Sequence, residues 1–410
     1  SIFMSYAYRM SKSSSIASRH ARTKTGQRRN NNQSRGGGNR RGQYIDPSRF
    51  VAAARPREEA VYTPTHTFND FDINDTLKAN LASKGYTQPS PIQDQAIPAA
   101  LAGKDIIGIA NTGTGKTAAF ALPMLNKLMG DRTSAALIIA PTRELAQQIE
   151  AECKSLGRAS GLSGTVLIGG VSMGGQLRDL RNRPRVVIGT PGRIKDHLER
   201  GTLQLANFNM VVLDEVDRML DMGFVNDVTD ILQNVNSERQ SLFFSATMDA
   251  KVNNLIHRFT NEPVTISIQS GKGSDNVHQD VVRYRSSNEK IDALHNILIK
   301  DDVSKVIIFD ETQRSVERLN EELIRRGFSA ESIHGGKSQG QRQRALNSFK
   351  KTAVNILVAT DVAARGIDVS DISHVINFSV PQTYDDYIHR IGRAGRAGQV
   401  GYALTFVTHS

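Results

Sequence analysis

The chain holds a single cysteine, Cys153, in 410 residues. One thiol excludes an intramolecular disulfide and a thiolate metal cluster, fits a reducing compartment, and reads as an inert packing residue. No apolar run approaches the roughly 20 residues that a membrane-spanning helix needs, so no membrane partner is expected. Acidic residues are missing from the start of the chain, the earliest being Asp46. Ten of the 52 Lys and Arg fall within residues 1–42, whereas the other 42 nearly balance the 41 Asp and Glu. The net charge of +11 therefore resides almost wholly in a terminal tail. Any nucleic-acid binding by the body must rely on individually placed residues rather than on bulk potential.

Residues 1–60 show no apolar periodicity and include Asn30, Asn31, Asn32, Gln33 and the run RGGGNRRG at 35–42. Such a segment buries too little to offset its ordering entropy and is expected to be a disordered basic tail. Arg and Gly together suit either a passive solvated tail or a loosely specific RNA-binding arm. The Ser/Arg bias also fits an organelle transit peptide, the alternative to a cytoplasmic location.

From Phe68 onward short apolar runs recur: Ile106 and Ile107, Ala136 to Ala140, Val186 to Ile188, Met210 to Leu213, and Leu242 to Phe244. Longer amphipathic or glycine-marked stretches separate them, the signature of a parallel sheet covered by helices. Leu145, Ile149 and Cys153, spaced i, i+4, i+8, mark one covering helix. The series pauses at a linker over 269–278, rich in Gly and Ser, and restarts with Val306 to Phe309, Ile356 to Ala359, Val375 to Phe378 and Ala403 to Val407. Two α/β domains are predicted, over 61–268 and 279–410.

The strongest local signal is Ala110-Asn-Thr-Gly113-Thr114-Gly115-Lys116-Thr117, between a strand candidate and a helix candidate. Such a loop turns successive N–H groups toward phosphate oxygens at a helix N-terminus. Gly113 and Gly115 let the phosphates approach, Lys116 reaches the β- and γ-phosphates, and the Thr117 hydroxyl suits Mg²⁺. Asp214 and Glu215 follow the run Met210 to Leu213, at what should be the C-terminal end of a buried strand. Paired carboxylates there are costly unless they meet a cation, which makes Asp214 the metal candidate and Glu215 the group that orients or deprotonates water.

Asp214-Glu215-Val216-Asp217 resembles motif II of the DEAD-box RNA helicases, and the other motifs of that family follow in order across residues 68–407. The resemblance implies two tandem RecA-like domains, each a mainly parallel sheet with helices on both faces. It also implies ATP and Mg²⁺ as cofactors, and RNA-stimulated ATP hydrolysis coupled to local, sequence-independent unwinding of short duplexes. Gly85 to Gln93 resembles the adenine-reading Q motif, so that Gln93 would pair with the adenine edge and Phe68 pack on the ring. Ser245-Ala246-Thr247 is similar to motif III, which with Asp217 would couple the nucleotide site to RNA.

RNA-facing motifs of the first domain appear as Pro141-Thr142-Arg143, Gly169-Gly170 and Thr190-Pro191-Gly192-Arg193. Each supplies N–H groups, a hydroxyl or an Arg, equipment for phosphate without base readout. In the second domain the resemblance assigns Arg342 and Thr360 to RNA and Asp368 to the ribose, and it casts Arg393 and Arg396 as fingers reaching the γ-phosphate. Permanently charged planar guanidinium groups suit that role better than Lys. Asn111 and Val216 depart from the family's usual residues without touching the chemistry. RNA, single-stranded or in short duplexes, and ribonucleoprotein complexes are the expected partners of a monomer. An RNA clamp without catalysis could dispense with Glu215 or the arginines, all of which are present, and the Q motif disfavours a DNA-directed helicase.

Overall fold

The runs Val306–Phe309 and Ile356–Ala359 are buried along their whole length, as strands covered on both faces must be. The computed structural model describes residues 44–55, 62–268, 275–364, 367, 369, 371–395 and 399–409. Asp368, Arg396 and the tail up to residue 43 lie outside the described residues.

Two all-parallel sheets organise the chain. The first contains β1 (Ile106–Ile109), β2 (Ala136–Ile139), β3 (Gly164–Leu167), β4 (Val186–Gly189), β5 (Met210–Leu213), β6 (Gln240–Ser245) and β7 (Val264–Ser267), in the order β3-β4-β2-β5-β6-β1-β7. The second contains β8 (Val277–Tyr284), β9 (Val306–Phe309), β10 (Ala330–Ile333), β11 (Ile356–Ala359), β12 (His374–Asn377) and β13 (Gly401–Thr408), in the order β10-β11-β9-β12-β13-β8. Side chains alternate across each strand, so Phe244 joins Phe120, Ile149 and Cys153 in the core on one face of the first sheet, while Phe243 joins Val211 and Ile231 on the other. Because every strand runs the same way, all loops that follow strand ends gather on one rim. The order then places β1, β6 and β5 side by side, and β2, β4 and β3 beyond them.

Two boundaries differ from the expected ones. Val277 and His278, assigned to the linker, already belong to β8. Residues 44–55, assigned to the disordered tail, form a strap on the second domain. Asp46 caps a 3-10 helix over Pro47–Phe50, Ala52 forms an antiparallel bridge with Gln279, and Phe50 is fully buried. A single anchoring aromatic on an open sheet edge produces no periodicity, so composition alone misses it. Among the described residues no helix is long and apolar enough to cross a membrane.

Candidate functional site

The loop between β1 and the helix Lys116–Gly130 turns through left-handed backbone at Gly113 (φ 84°) and Gly115 (φ 91°). A Cβ at Gly115 would lie 2.5 Å from Gln93 Nε2, so both backbone angle and space require glycine there. Thr114 Oγ1 donates to the Asn111 carbonyl at 2.8 Å and fixes the turn. The Lys116 ammonium is buried, donates to Ala110 O at 3.1 Å and stands 3.8 Å from Asp214 Oδ1. Thr117 follows it in the first helical turn, partly exposed.

Gln93 closes a capping box: its Oε1 accepts the Ser90 N–H at 2.9 Å, while its Nε2 donates to Gly115 O at 3.1 Å. The amide thus braces the phosphate loop, and each end keeps one further lone pair or N–H for a ligand. Phe68 is buried edge-on against Phe71 and Tyr86 rather than displayed as an open stacking surface.

β5 ends at the buried pair Asp214 and Glu215, and Glu215 adopts φ 55°, rare for a side chain with a Cβ. Burial pushes the Asp214 carboxyl up to about 6 despite the opposing pull of Lys116. For Glu215 burial again works against ionisation, but Arg218 at 2.8 Å, Lys116 and Arg393 together hold it below the usual carboxylate range. Asp217 ties this strand end to its neighbour: Oδ2 accepts N–H groups of Ala246 and Thr247 at 3.1 and 2.9 Å and the Thr247 hydroxyl at 3.1 Å, while the Asp217 N–H donates to Ser245 Oγ at 3.2 Å. The predicted coupling residues are therefore one hydrogen-bonded unit.

Arg218 also reaches the second domain, where it lines a crevice of about 10 Å³ with Asp361, Arg390 and Arg393. That space holds about one water. Arg390 forms a two-pronged pair with Asp361 at 2.5 and 2.6 Å and donates to Ser379 O at 2.8 Å. Arg393 is buried, and its Nη1 donates to Ile367 O at 2.9 Å. Arg218, Asp361 and Arg390 were not singled out from sequence. The i, i+3 spacing of Glu215 and Arg218 was the available signal.

The other half of the rim gathers guanidinium groups. Arg143 lies so close to Gly169 and Gly170 that a Cβ on either would collide with it. Burial depresses its proton affinity, and the charges of Arg342 and Arg193 depress it further. Arg193 Nη1 donates to Val171 O at 3.3 Å, while its buried Nε makes no hydrogen bond. Arg342 crosses between domains to pair with Glu144 at 2.8 Å, and Gln339 donates to Gln147 at 3.0 Å beside it. Arg342, expected on RNA, thus has a protein partner here, although its Nε has none. Pro141 and Thr142 are buried, with Thr142 capping the helix Arg143–Leu156. Thr190 stands at the N-cap of the helix Pro191–Glu199, whose Gly192 is exposed and unobstructed. Thr360 links β11 to the short helix Asp361–Ala364.

A phosphate loop and strand-end carboxylates on one parallel sheet, answered by arginines from a second, define the class of two-domain P-loop nucleotide hydrolases. Residues 90–255 match the DEAD/DEAH box helicase family and residues 289–398 the helicase conserved C-terminal domain. The chain is 44% identical over 345 residues to the DEAD-box ATP-dependent RNA helicase CshA of Bacillus subtilis (strain 168), covering 84% of this chain and 70% of that relative. It is 43% identical over 344 residues to CshA of Geobacillus kaustophilus, covering 83% and 73%. The chain belongs to the DEAD-box ATP-dependent RNA helicases, ATP-hydrolysing enzymes with two RecA-like domains. S. cerevisiae Dbp5 bound to RNA and ADP BeF3 superposes with a TM-score of 0.74 at 28% identity, over 84% of this chain and 90% of that one. Mss116p bound to ssRNA and AMP-PNP gives 0.75 at 29% identity, over 86% and 76%.

Proposed function

We propose that the chain uses ATP to separate short RNA duplexes without reading their sequence, through residues on both sides of the domain seam. The observation that carries this is the buried Glu215 carboxylate at the seam, paired with Arg218 at 2.8 Å and held charged against burial by Arg218 first, then by Lys116 and by Arg393 from the other domain. Lys116 neutralises the β- and γ-phosphates, and Glu215 orients the attacking water and accepts its proton. Arg393 and Arg396 stabilise the charge that develops on the γ-phosphate. Gln93 pairs with the adenine edge using its unused valences, Phe68 supports that wall, and Asp368 takes the ribose side.

Asp214 is buried and its ionisation is only partly compensated by Lys116, a setting that a divalent cation completes. Among the described residues no cluster of three His, Cys, Asp or Glu could enclose a metal. Mg²⁺ would therefore be held by Asp214 and Thr117 together with the phosphates, as is usual for this ion, and would supply charge neutralisation on the phosphates. Arg143, Arg193 and Arg342, with Thr142, Gly170, Thr190, Gly192 and Thr360, bind the RNA backbone. Pro141 shapes the turn, and the unit Asp217–Ser245–Thr247 transmits RNA occupancy to the carboxylates. Ribonucleoprotein complexes are the cellular substrate, a monomer is the working form, and the cytoplasm is its compartment.

ATP turnover measured with single-stranded RNA, with single-stranded DNA and without nucleic acid tests this reading. RNA alone should stimulate strongly, and Arg393→Ala should lower kcat by about 10³-fold. Turnover indifferent to RNA or to Arg393 would overturn it.

A further inference from the structure

The helix Tyr384–Ile391 delivers Arg390 near its end and Arg393 just beyond it. Eight residues are too few for a helix to hold itself in water, so packing must set its direction. One side is fixed by Arg390, which grips Asp361, Asn377 and Ser379. The adjoining face presents Tyr387 and Ile391 to a small apolar cluster that includes Val277, Ala403 and Val407 from β8 and β13. That cluster is completed from far upstream, by Ile45 and Phe50.

Phe50 is fully buried with its ring 4.7 Å from that of Tyr387, and the Arg49 guanidinium lies 3.8 Å above the Tyr384 ring. The strap is held by backbone bonds in both directions between Ala52 and Gln279, at 3.0 and 2.7 Å, and by the Arg55 N–H on Asp275 O at 2.7 Å. The side chain of the same Gln279 accepts the Tyr387 hydroxyl at 2.9 Å. One residue of the outermost strand therefore grips both the strap and the helix.

We infer that the strap Ile45–Arg55 belongs to the hydrolytic apparatus, with Phe50 a positioning residue that seats Arg393 through Tyr387. Phe50 touches no reacting atom. It fills the space into which Tyr387 and Ile391 would otherwise relax, and so fixes the direction from which the following guanidinium meets the seam. The inference rests on the reading of Arg393 as the partner of the γ-phosphate.

The test uses the full chain with saturating RNA, reading kcat, KM for ATP and hydrogen exchange across residues 384–393. Phe50→Ala should lower kcat about tenfold with KM changed less than about twofold, and should speed exchange in the helix. Phe50→Leu, which keeps an apolar plug, should stay within about twofold of the parent. Ala52→Pro removes the N–H that donates to the Gln279 carbonyl and leaves the Phe50 ring in place, so it decides the matter should Phe50→Ala fail to fold, and it should also lower kcat. Unchanged kcat in Phe50→Ala and Ala52→Pro, or a loss confined to KM, overturns the inference. Arg393→Ala is the control. If it too keeps full turnover, the γ-phosphate reading has failed; if it is inactive while the strap variants are normal, only the role of the strap has.

Discussion

Glu215 occupies left-handed backbone that costs a residue with a Cβ on the order of 1–3 kcal/mol. Such strain persists only where the surroundings over-determine the position. Here they are the burial of β5, the Arg218 pair and the Asp214 carboxylate accepting the Glu215 N–H at 2.9 Å. The arrangement aims a charged carboxylate into the seam instead of leaving it neutral and inert. Glu215→Gln preserves shape while removing the proton acceptor, so turnover should drop by at least about 100-fold while ATP still closes the domains on RNA. Filter-binding dissociation rates check this, and RNA leaving the variant as fast as the parent would contradict the cycle.

At the scale of elements, His197 on the helix Pro191–Glu199 is within 3.2 Å of Gln176 Oε1, and Gln176 Nε2 donates to Ile168 O beside Gly169. Burial lowers the affinity of His197 for a proton, with Arg193 adding to the effect. The unfolded chain then binds protons more readily than the folded one. This group's share of stability is complete above the ordinary histidine range and is lost as pH falls below about 6.5. Thermal melts from pH 7.5 to 5 should show a decline that His197→Gln reduces. The pair Arg342–Glu144 joins elements of different domains, so a double-mutant cycle on RNA-dependent ATPase should give a coupling of about 0.5–3 kcal/mol. Additive losses would place the two side chains apart in the working state.

Element by element, the apolar runs locate nine strands and miss β3, β7, β8 and β10, which are the outermost strands of the two sheets. A central strand is buried on both faces and reads as an unbroken apolar run. An outer strand such as β7, where only Ile266 is buried, lacks that run. The site was legible where chemistry fixes residue type, as in Gly113 to Thr117 and Asp214 to Asp217. It was illegible where a partner is distant in sequence, as with Arg218 at the seam or Asp361 under Arg390.

At the scale of the whole molecule, the described residues from 44 onward belong to one compact unit, while the basic residues in excess lie in 1–42. Removing residues 1–42 should reduce the slope of log affinity for single-stranded RNA against log salt by at least about 2, since each lost phosphate contact contributes about 0.7. An unchanged slope would mark that segment as a passive passenger. The bridge of Ala52 to Gln279 has one more consequence. β8 is the rim strand of its sheet, and a rim with unsatisfied amide and carbonyl groups is a template for joining other chains. By lying along it, the strap acts as a built-in stopper. A protein trimmed to begin at Tyr62 would bare both that rim and the greasy socket of Phe50, and would trade solubility for stickiness on storage.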